Sequence, residues 1–353
     1  MSWFSRKQNS VLGIDVSTSA VKLLELSKVG SRYRVESFGV AAFPKDAMVD
    51  KTVANVDVIA DTIKIALKRS DSKLKSATVA VSGSAVITKM ITMPGSLTDD
   101  EMLGQIMIEA DQYVPYSLDE VNFDFEVQRV NENNPEMVDV LFVASRRENV
   151  DDRVEALLKS GLKTSIVDVE AYAVENALLL LSDQFTDSAD AQTVAIVDIG
   201  STVASFNVLH DGKLVYTREQ GFGGKQLTEE IQRRYGLSYE EAGLAKRHGG
   251  LPDNYTVDVL DPFKKAMIEQ IQRSLQFFAS SSANREINNI VLAGGCASIP
   301  GIDKLVEKNL GMPVYIANPF MNMTLSNKIK PHALSNDAPT MMIACGLALR
   351  SFD

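Results

Sequence analysis

The residues of this chain best suited to chemistry are two aspartates in matching surroundings. Asp15 lies in Val11-Leu-Gly-Ile-Asp15-Val-Ser17-Thr-Ser19, and Asp198 in Ala195-Ile-Val-Asp198-Ile-Gly200-Ser-Thr202. In each, an apolar run that reads as a buried strand ends on the acid, passes one β-branched residue and turns on three small or hydroxyl residues. Such a turn lets backbone N–H groups approach phosphate oxygens. The carboxylate can hold Mg²⁺ directly or through water, because that ion takes oxygen ligands and keeps much of its hydration. One copy alone reads as a plain hairpin. Two copies, each continuing into a second strand, a turn and a third strand, point to two lobes that each open with a phosphate-binding hairpin. The turns fall near Val29-Gly30 and at Asp211-Gly212, the second a strong hairpin signal.

The elements that must position these acids follow from periodicity. Ile59, Ile63, Ala66 and Leu67 form an apolar stripe at helical spacing. Residues 77–93 read as two strands, and Thr98 with Glu101 forms a capping box that starts a helix ending before Pro115. Strands near 121–130 and 137–144 and a helix near 148–160, stopped by Gly161, complete a ββαββα insertion. Residues 226–285 read as helical, with a second capping box at Ser238 and Glu241 and a stop at Gly249-Gly250. A strand at 287–292 meets Gly294-Gly295, Pro300 suits the first turn of the next helix, and a small-residue helix spans 339–350.

Composition narrows the function classes. At about 150 residues per domain, 353 residues suggest two domains. Acids outnumber bases 46 to 36, and a net charge of -10 argues against nucleic acid as a partner. Cys296 and Cys345 sit among small residues and read as buried and reduced, as in a reducing cytosol. With no C-x-x-C and with His210, His248 and His332 scattered, neither a disulfide nor a zinc site is expected. No apolar run approaches the ~20 residues that span a bilayer. The start has no signal-peptide core; Trp3, Phe4, Arg6 and Lys7 could touch a membrane surface, but a frayed tail is the simpler reading. Both Gly-Lys pairs, at Gly212 and Gly224, lack the rest of a Walker A motif, and Gly221-Phe-Gly223-Gly224 does not open a Rossmann unit.

Five segments in order resemble the actin-like family, which includes actin, the seventy-kilodalton heat-shock chaperones and sugar kinases. Residues 11–22 resemble its first phosphate segment, 194–206 the second, and Ile290-Val-Leu-Ala-Gly-Gly295 with Ile299-Pro-Gly301 the adenosine segment. The stretch from Val167 resembles the first interlobe helix, and 339–350 the second. The resemblance implies an α/β, ribonuclease H-like two-lobed fold that binds ATP and Mg²⁺. Carried over position by position, Asp15 and Asp198 would face Mg²⁺. Ser17, Thr18 and Ser19 would cradle phosphates from one lobe, and Gly200, Ser201 and Thr202 from the other. Lys22 would add a charge near the β- or γ-phosphate, and Gly294 and Gly295 would admit the adenosine. Gly223, Gly224, Lys225 and Arg273 would line the nucleoside side. Asp168 would orient an attacking water, with Glu170 as the alternative, and turnover would be weak or absent.

The insertion resembles that of the cell-division protein FtsA. Closer still is the PilM family of type IV pilus assembly, on Ile108-Glu-Ala-Asp-Gln-Tyr113-Val-Pro115-Tyr-Ser-Leu-Asp119-Glu-Val-Asn-Phe-Asp124-Phe and on Val11–Leu26. The FtsA linker and membrane anchor are not expected after Asp353. The PilM resemblance implies a cytoplasmic scaffold recruited to the inner membrane by the cytoplasmic N-terminal tail of a PilN-like protein, alongside other assembly-platform or motor components. The tail would lie between the first lobe and the insertion, near Tyr113, Val114, Tyr116 and Leu118. A filament-forming division protein and a small-molecule kinase are the alternatives. The expected division is a tail at 1–10, a first lobe at 11–76 and 162–193, and the insertion at 77–161; the second lobe takes 194–225 and 286–353, and a helical subdomain 226–285.

Overall fold

The first three strands, β1 (Leu12–Val16), β2 (Ala20–Val29) and β3 (Arg32–Ala42), form an antiparallel meander in which Asp15 lies opposite Lys22. The computed structural model describes residues 10–44, 47–49, 51–185, 192–281 and 285–352; Trp3, Phe4, Arg6 and Lys7 lie outside them. A short hairpin, β4 (Met48–Val49) and β5 (Thr52–Val53), carries Lys51 in its turn. Helix α1 (Val56–Ser70) starts where the Asn55 side chain accepts from the Asp57 and Val58 N–H groups, and it buries Ile59, Ile63 and Ala66 on the expected stripe. Strand β6 (Ser76–Val81) returns parallel to β1. Then come β7 (Val86–Pro94), α2 (Asp99–Glu109) behind its Thr98/Glu101 capping box, β8 (Val121–Val130), β9 (Met137–Arg146), α3 (Arg147–Lys159), β10 (Lys163–Val169) and α4 (Glu170–Leu178).

The second half repeats the plan with β11 (Thr193–Ile199), β12 (Ala204–His210) and β13 (Lys213–Gln220). Helices α5 (Gly224–Tyr235), α6 (Tyr239–His248) and α7 (Asp261–Ser281) follow, then β14 (Asn289–Ala293), α8 (Ile302–Leu310), β15 (Val314–Ile316), β16 (Thr324–Leu325), α9 (Pro331–Asp337) and α10 (Met342–Leu349). The sheets run β10-β6-β1-β2-β3-β16 and β13-β12-β11-β14-β15. Setting β16 aside, each is a three-strand antiparallel meander whose first strand takes two further strands in parallel on its other side. The repeat read around the two aspartates is therefore a repeat of topology.

Each lobe has its own core, built on Leu12, Ile14, Ile59 and Ile63 in one and on Val197, Phe206, Ile271 and Leu292 in the other. A third cluster joins them: Leu24, Val174, Ile196, Val291, Ala344 and Ala348 pack where α4 and α10 cross between the sheets. At that crossing a Cβ on Gly346 would stand 1.7 Å from the Ala173 carbonyl oxygen, so no larger residue fits.

Two boundaries differ from the sequence reading. Ser76–Val81 pairs with β1 and β10 inside the first-lobe sheet, and Ala156 and Leu157 of α3 pack into that lobe's core with Ile59 and Ile63. The expected ββαββα insertion therefore reduces to β7, α2, β8 and β9, with a separate sheet in the order β7-β9-β8. The near-continuous burial along β6 is that of a central parallel strand, a pattern that does not say which sheet it enters. The second difference is that 163–169 is strand, so the first interlobe helix begins at Glu170 rather than near Val167.

Candidate functional site

The two aspartates sit at equivalent strand ends and differ in what faces them. Asp15 is 2% exposed, and Lys22, its cross-strand neighbour, places Nζ 2.8 Å from Oδ2. Burial would lower the Lys22 ammonium, but Asp15, Asp198 and Glu170 outweigh it and hold the pKa above its usual value. Asp198 faces Ser205 across its strand pair. Burial, with Asp15 adding, pushes its carboxyl up to about 6 despite the opposing pull of Lys22.

The turns after each acid are closed by local hydrogen bonds. Ser17 donates both its N–H and its hydroxyl to the Ala20 carbonyl, at 3.0 and 2.9 Å. Gly200 donates to the Val203 carbonyl at 3.0 Å. Thr202 Oγ1 is buried and has no hydrogen-bond partner. The first turn of α5 clasps this second loop, with Gly224 N–H on the Gly200 carbonyl at 3.0 Å and Lys225 N–H on the Ser201 carbonyl at 2.8 Å. Gly294 has φ +79°, and a Cβ there would stand 2.4 Å from Asp198 Oδ1. That position needs glycine both for its left-handed backbone and for the approach of the acid.

Glu170 joins this group and Asp168 does not. Glu170 opens α4, is 7% exposed, and lines a cavity of about 10 Å³ with Asp198, Ser205, Asn207, Thr217 and Glu219. Burial raises its carboxyl pKa, with Lys51 opposing. Asp168 instead turns toward the chain's end, where Oδ2 lies 3.7 Å from Arg350 Nε and Oδ1 accepts the Val169 N–H at 2.7 Å. β10 still runs as strand at Asp168, so the structure sets this carboxylate beside Arg350 rather than among the residues around Asp198. Arg273 is also not brought in; it is exposed on α7 and its Nε donates to the Glu269 carbonyl of its own helix. The Lys225 side chain is half exposed beside Glu229, so this residue contributes its backbone.

Several residues escaped the sequence reading. Lys51 Nζ lies 2.6 Å from Glu170 Oε2, 2.8 Å from Glu219 Oε1 and 3.5 Å from Ser205 Oγ, so it crosses from the first lobe to the second. Burial works against its charge, yet Glu170 and Glu219 outweigh it and raise its pKa. Arg153, 2% exposed, donates to the Lys51 carbonyl at 3.1 Å. Lys246 supports the α5 turn through the Gly224 carbonyl at 2.9 Å and Thr228 Oγ1 at 2.6 Å. A lysine in a four-residue turn carries no periodic signal, and its partners lie 119 and 168 residues away.

A larger hollow of about 410 Å³ opens between the first lobe and the small subdomain. Its walls include Lys51, Ser82, Ser84, Tyr116, Arg146 and Asn149, with the Arg146 guanidinium 5.2 Å over the Tyr116 ring. Of the four residues expected to face a partner, Tyr116 lines this hollow. Val114 is buried in the subdomain core, with Tyr113 and Leu118 packed against it.

Among the described residues, no helix is long and apolar enough to cross a membrane, and no group of three or more His, Cys, Asp or Glu side chains could hold a metal alone. The strand-end pair Asp15 and Asp198 suits Mg²⁺, which is bound by one or two carboxylates plus phosphates and water. The buried Asp198, whose carboxyl is raised despite Lys22 and Lys51, and the partnerless Thr202 hydroxyl fit such a group.

The chain matches the family model described as type IV pilus assembly protein PilM over residues 13–352. It is similar to a solved PilM-PilN type IV pilus biogenesis complex at 27% identity and a TM-score of 0.80, covering 98% of this chain and 99% of that one. Cell division protein FtsA of Enterococcus hirae is 24% identical, with 93% of this chain and 82% of the relative covered. The ethanolamine utilization protein EutJ of Carboxydothermus hydrogenoformans shares the fold at 14% identity and a TM-score of 0.56, over 96% of this chain and 89% of its own. The two-lobed α/β architecture is the actin-like fold.

Proposed function

The chain belongs to the type IV pilus assembly protein PilM family, and from that premise we propose a nucleotide-binding scaffold with two sites. The cleft takes Mg-ATP. The hollow beside the small subdomain takes the short cytoplasmic N-terminal tail of a PilN-like inner-membrane protein, and that contact brings the chain to the cytoplasmic face of the membrane beside the other platform and motor components.

The observation that carries the reading is the hollow of about 410 Å³ in a chain so similar to one solved with a PilN partner. Its apolar wall of Val86, Ile87, Val121 and Ala144 suits the side chains of an extended peptide, and Ser82, Ser84 and Ser145 suit its backbone. The test is a titration of the tail peptide. Tyr116→Ala should weaken binding about tenfold or more, the range of an aromatic anchor. A peptide that does not bind the unaltered protein at high micromolar concentration would remove this half of the reading.

In the cleft, Asp15 and Asp198 would hold Mg²⁺, whose charge would offset that of the phosphates. Lys22 and the loops Ser17–Ser19 and Gly200–Thr202 would hold the phosphates themselves, and Gly294 with Gly295 would leave room for the adenosine. Glu170 is the carboxylate placed to accept a proton from water or to orient it. Any phosphate release should therefore fall ~10²-fold or more in Glu170→Gln, the usual contribution of such a group. Asp168→Asn should leave it within about twofold, and the reverse pattern would reject the assignment.

A further inference from the structure

The hollow and the cleft share a wall, and the residues in that wall are tied to one carboxylate. Lys51, Ser82 and Ser84 line the hollow. Lys51 Nζ is 2.8 Å from Glu219 Oε1, and Ser82 Oγ lies 3.1 Å from each of the two Glu219 oxygens while bonding Ser84 at 2.9 Å. Glu219 belongs to β13 of the second lobe, whereas Lys51, Ser82 and Ser84 belong to the first-lobe side. Lys51 also reaches Glu170, which shares the small cleft cavity with Asp198.

We propose that Lys51 and Glu219 form a latch between the lobes, through which a peptide in the hollow and a nucleotide in the cleft change each other's affinity.

The latch is built from the first lobe. Lys51 has φ +63°, a conformation uncommon for a residue with a side chain. It is held there by Arg153, whose one guanidinium nitrogen binds the Lys51 carbonyl at 3.1 Å while another binds the carbonyl of Asn149, itself in the wall of the hollow, at 2.9 Å. The Lys51 backbone is thus fixed by α3, and its ammonium reaches the second lobe only while the lobes are closed on each other.

A closed latch commits Lys51 and Ser82 to Glu219. A peptide carbonyl or carboxylate that binds either of them competes with Glu219, so it favours the unlatched arrangement. Any ligand that moves the lobes relative to each other alters the same contact from the cleft side. Linkage requires the two effects to be equal in free energy.

The inference rests on the proposed peptide site, and the experiment separates the two. The tail peptide is titrated calorimetrically into the full chain with and without Mg-bound, non-hydrolysable ATP analogue, using the unaltered protein, Glu219→Gln and Lys51→Met. Glu219→Gln leaves Lys51 paired with Glu170 and keeps an oxygen for Ser82, so it loosens the latch with little change in shape and serves if Lys51→Met fails to fold. The expected result is a difference of about fivefold or more between nucleotide conditions in the unaltered protein, the low end of measured couplings. That difference should shrink to within about twofold in Glu219→Gln, with tighter peptide binding in the absence of nucleotide. No peptide binding in either condition overturns the peptide site and the latch with it. Equal affinity in both conditions leaves the peptide site standing and overturns the coupling. A difference retained in both variants overturns the latch as its carrier.

Discussion

The two aspartate hairpins have the same topology and similar local residue types, yet they are electrostatically unlike. In the first, a lysine stands directly across the strand pair from the acid, 2.8 Å away. In the second, Ser205 occupies that place and the acid is left with a pKa near 6. Cross-strand partners are close neighbours on one face of a sheet, so a single residue type at that position decides whether a buried charge is balanced. The first hairpin completes its own charge pair. The second leaves a buried carboxylate that Lys22 and Lys51 offset only in part. A repeated motif here yields two unlike acids, one paired across its strands by Lys22 and one facing Ser205.

The largest test of that division removes Lys22. Lys22→Met should destabilise the nucleotide-free protein by about 3–5 kcal/mol, the range for taking one partner from a buried pair. Both side chains are well inside, at 14% and 1% exposed, so solvent offers little rescue. Equilibrium denaturation in urea would measure it. A loss below about 1 kcal/mol would mean that Asp15 finds another partner and that the hairpins differ less than their geometry indicates.

The opposite sign is expected in the second hairpin. Asp198→Asn removes an unbalanced charge and should stabilise the nucleotide-free protein at neutral pH by up to about 3 kcal/mol, at about 1.4 kcal/mol per unit of pKa shift. The pH dependence follows from the direction of that shift. The folded value, about 6, exceeds the ordinary carboxylate value, so between the two the folded chain holds more protons than the unfolded one. The Asp198 penalty is therefore absent near pH 4 and grows until pH passes 6, and the benefit of the variant should grow with it. If the proposed Mg-ATP site is right, Mg-ATP should raise the melting temperature of the unaltered protein and raise that of this variant much less. A destabilised Asp198→Asn at pH 7 would show that Asp198 is balanced by its neighbours after all.

This asymmetry marks how far the sequence could be read. Asp15, Asp198 and their small-residue turns were legible because each is a local pattern with a local reason, whereas the close approach of Gly294 to Asp198 was not. The register that sets Lys22 against Asp15 was half legible, since a short tight turn fixes which residues of adjoining strands meet. Whether the side chain beyond Val167 faced the cleft was not legible, because strand and helix send alternate residues in different directions and the switch comes at Glu170. Lys51 and Glu219 were invisible, since nothing near either residue indicates the other, and only closure of the whole fold brings them to 2.8 Å. The placement of residues 77–81 failed for a related reason: a run buried on both faces states that it is central without stating in which sheet.

The smallest effect lies at the far end of each hairpin. The β2–β3 turn has one positive φ among its residues, Gly30 at +64°, whereas the β12–β13 turn has two, Asp211 at +51° and Gly212 at +76°. A Cβ on Gly30 would meet no atom within 4 Å, so the cost of Gly30→Ala is backbone strain alone, about 1 kcal/mol. Gly30→Asn should recover most of that, because asparagine tolerates the left-handed region. At the second turn, Asp211→Ala combines the same strain with loss of the carboxylate that accepts the Gln192 N–H at 3.2 Å, and it should cost more than Gly30→Ala. Per kcal/mol, a unit the size of one lobe shifts its melting temperature by roughly 2–4 °C, so a careful scan should find Gly30→Asn the mildest, Gly30→Ala next and Asp211→Ala the costliest. If Gly30→Ala proves the costliest, the first turn carries packing that its open surroundings do not display, and the two hairpins differ at both ends rather than only at the acid.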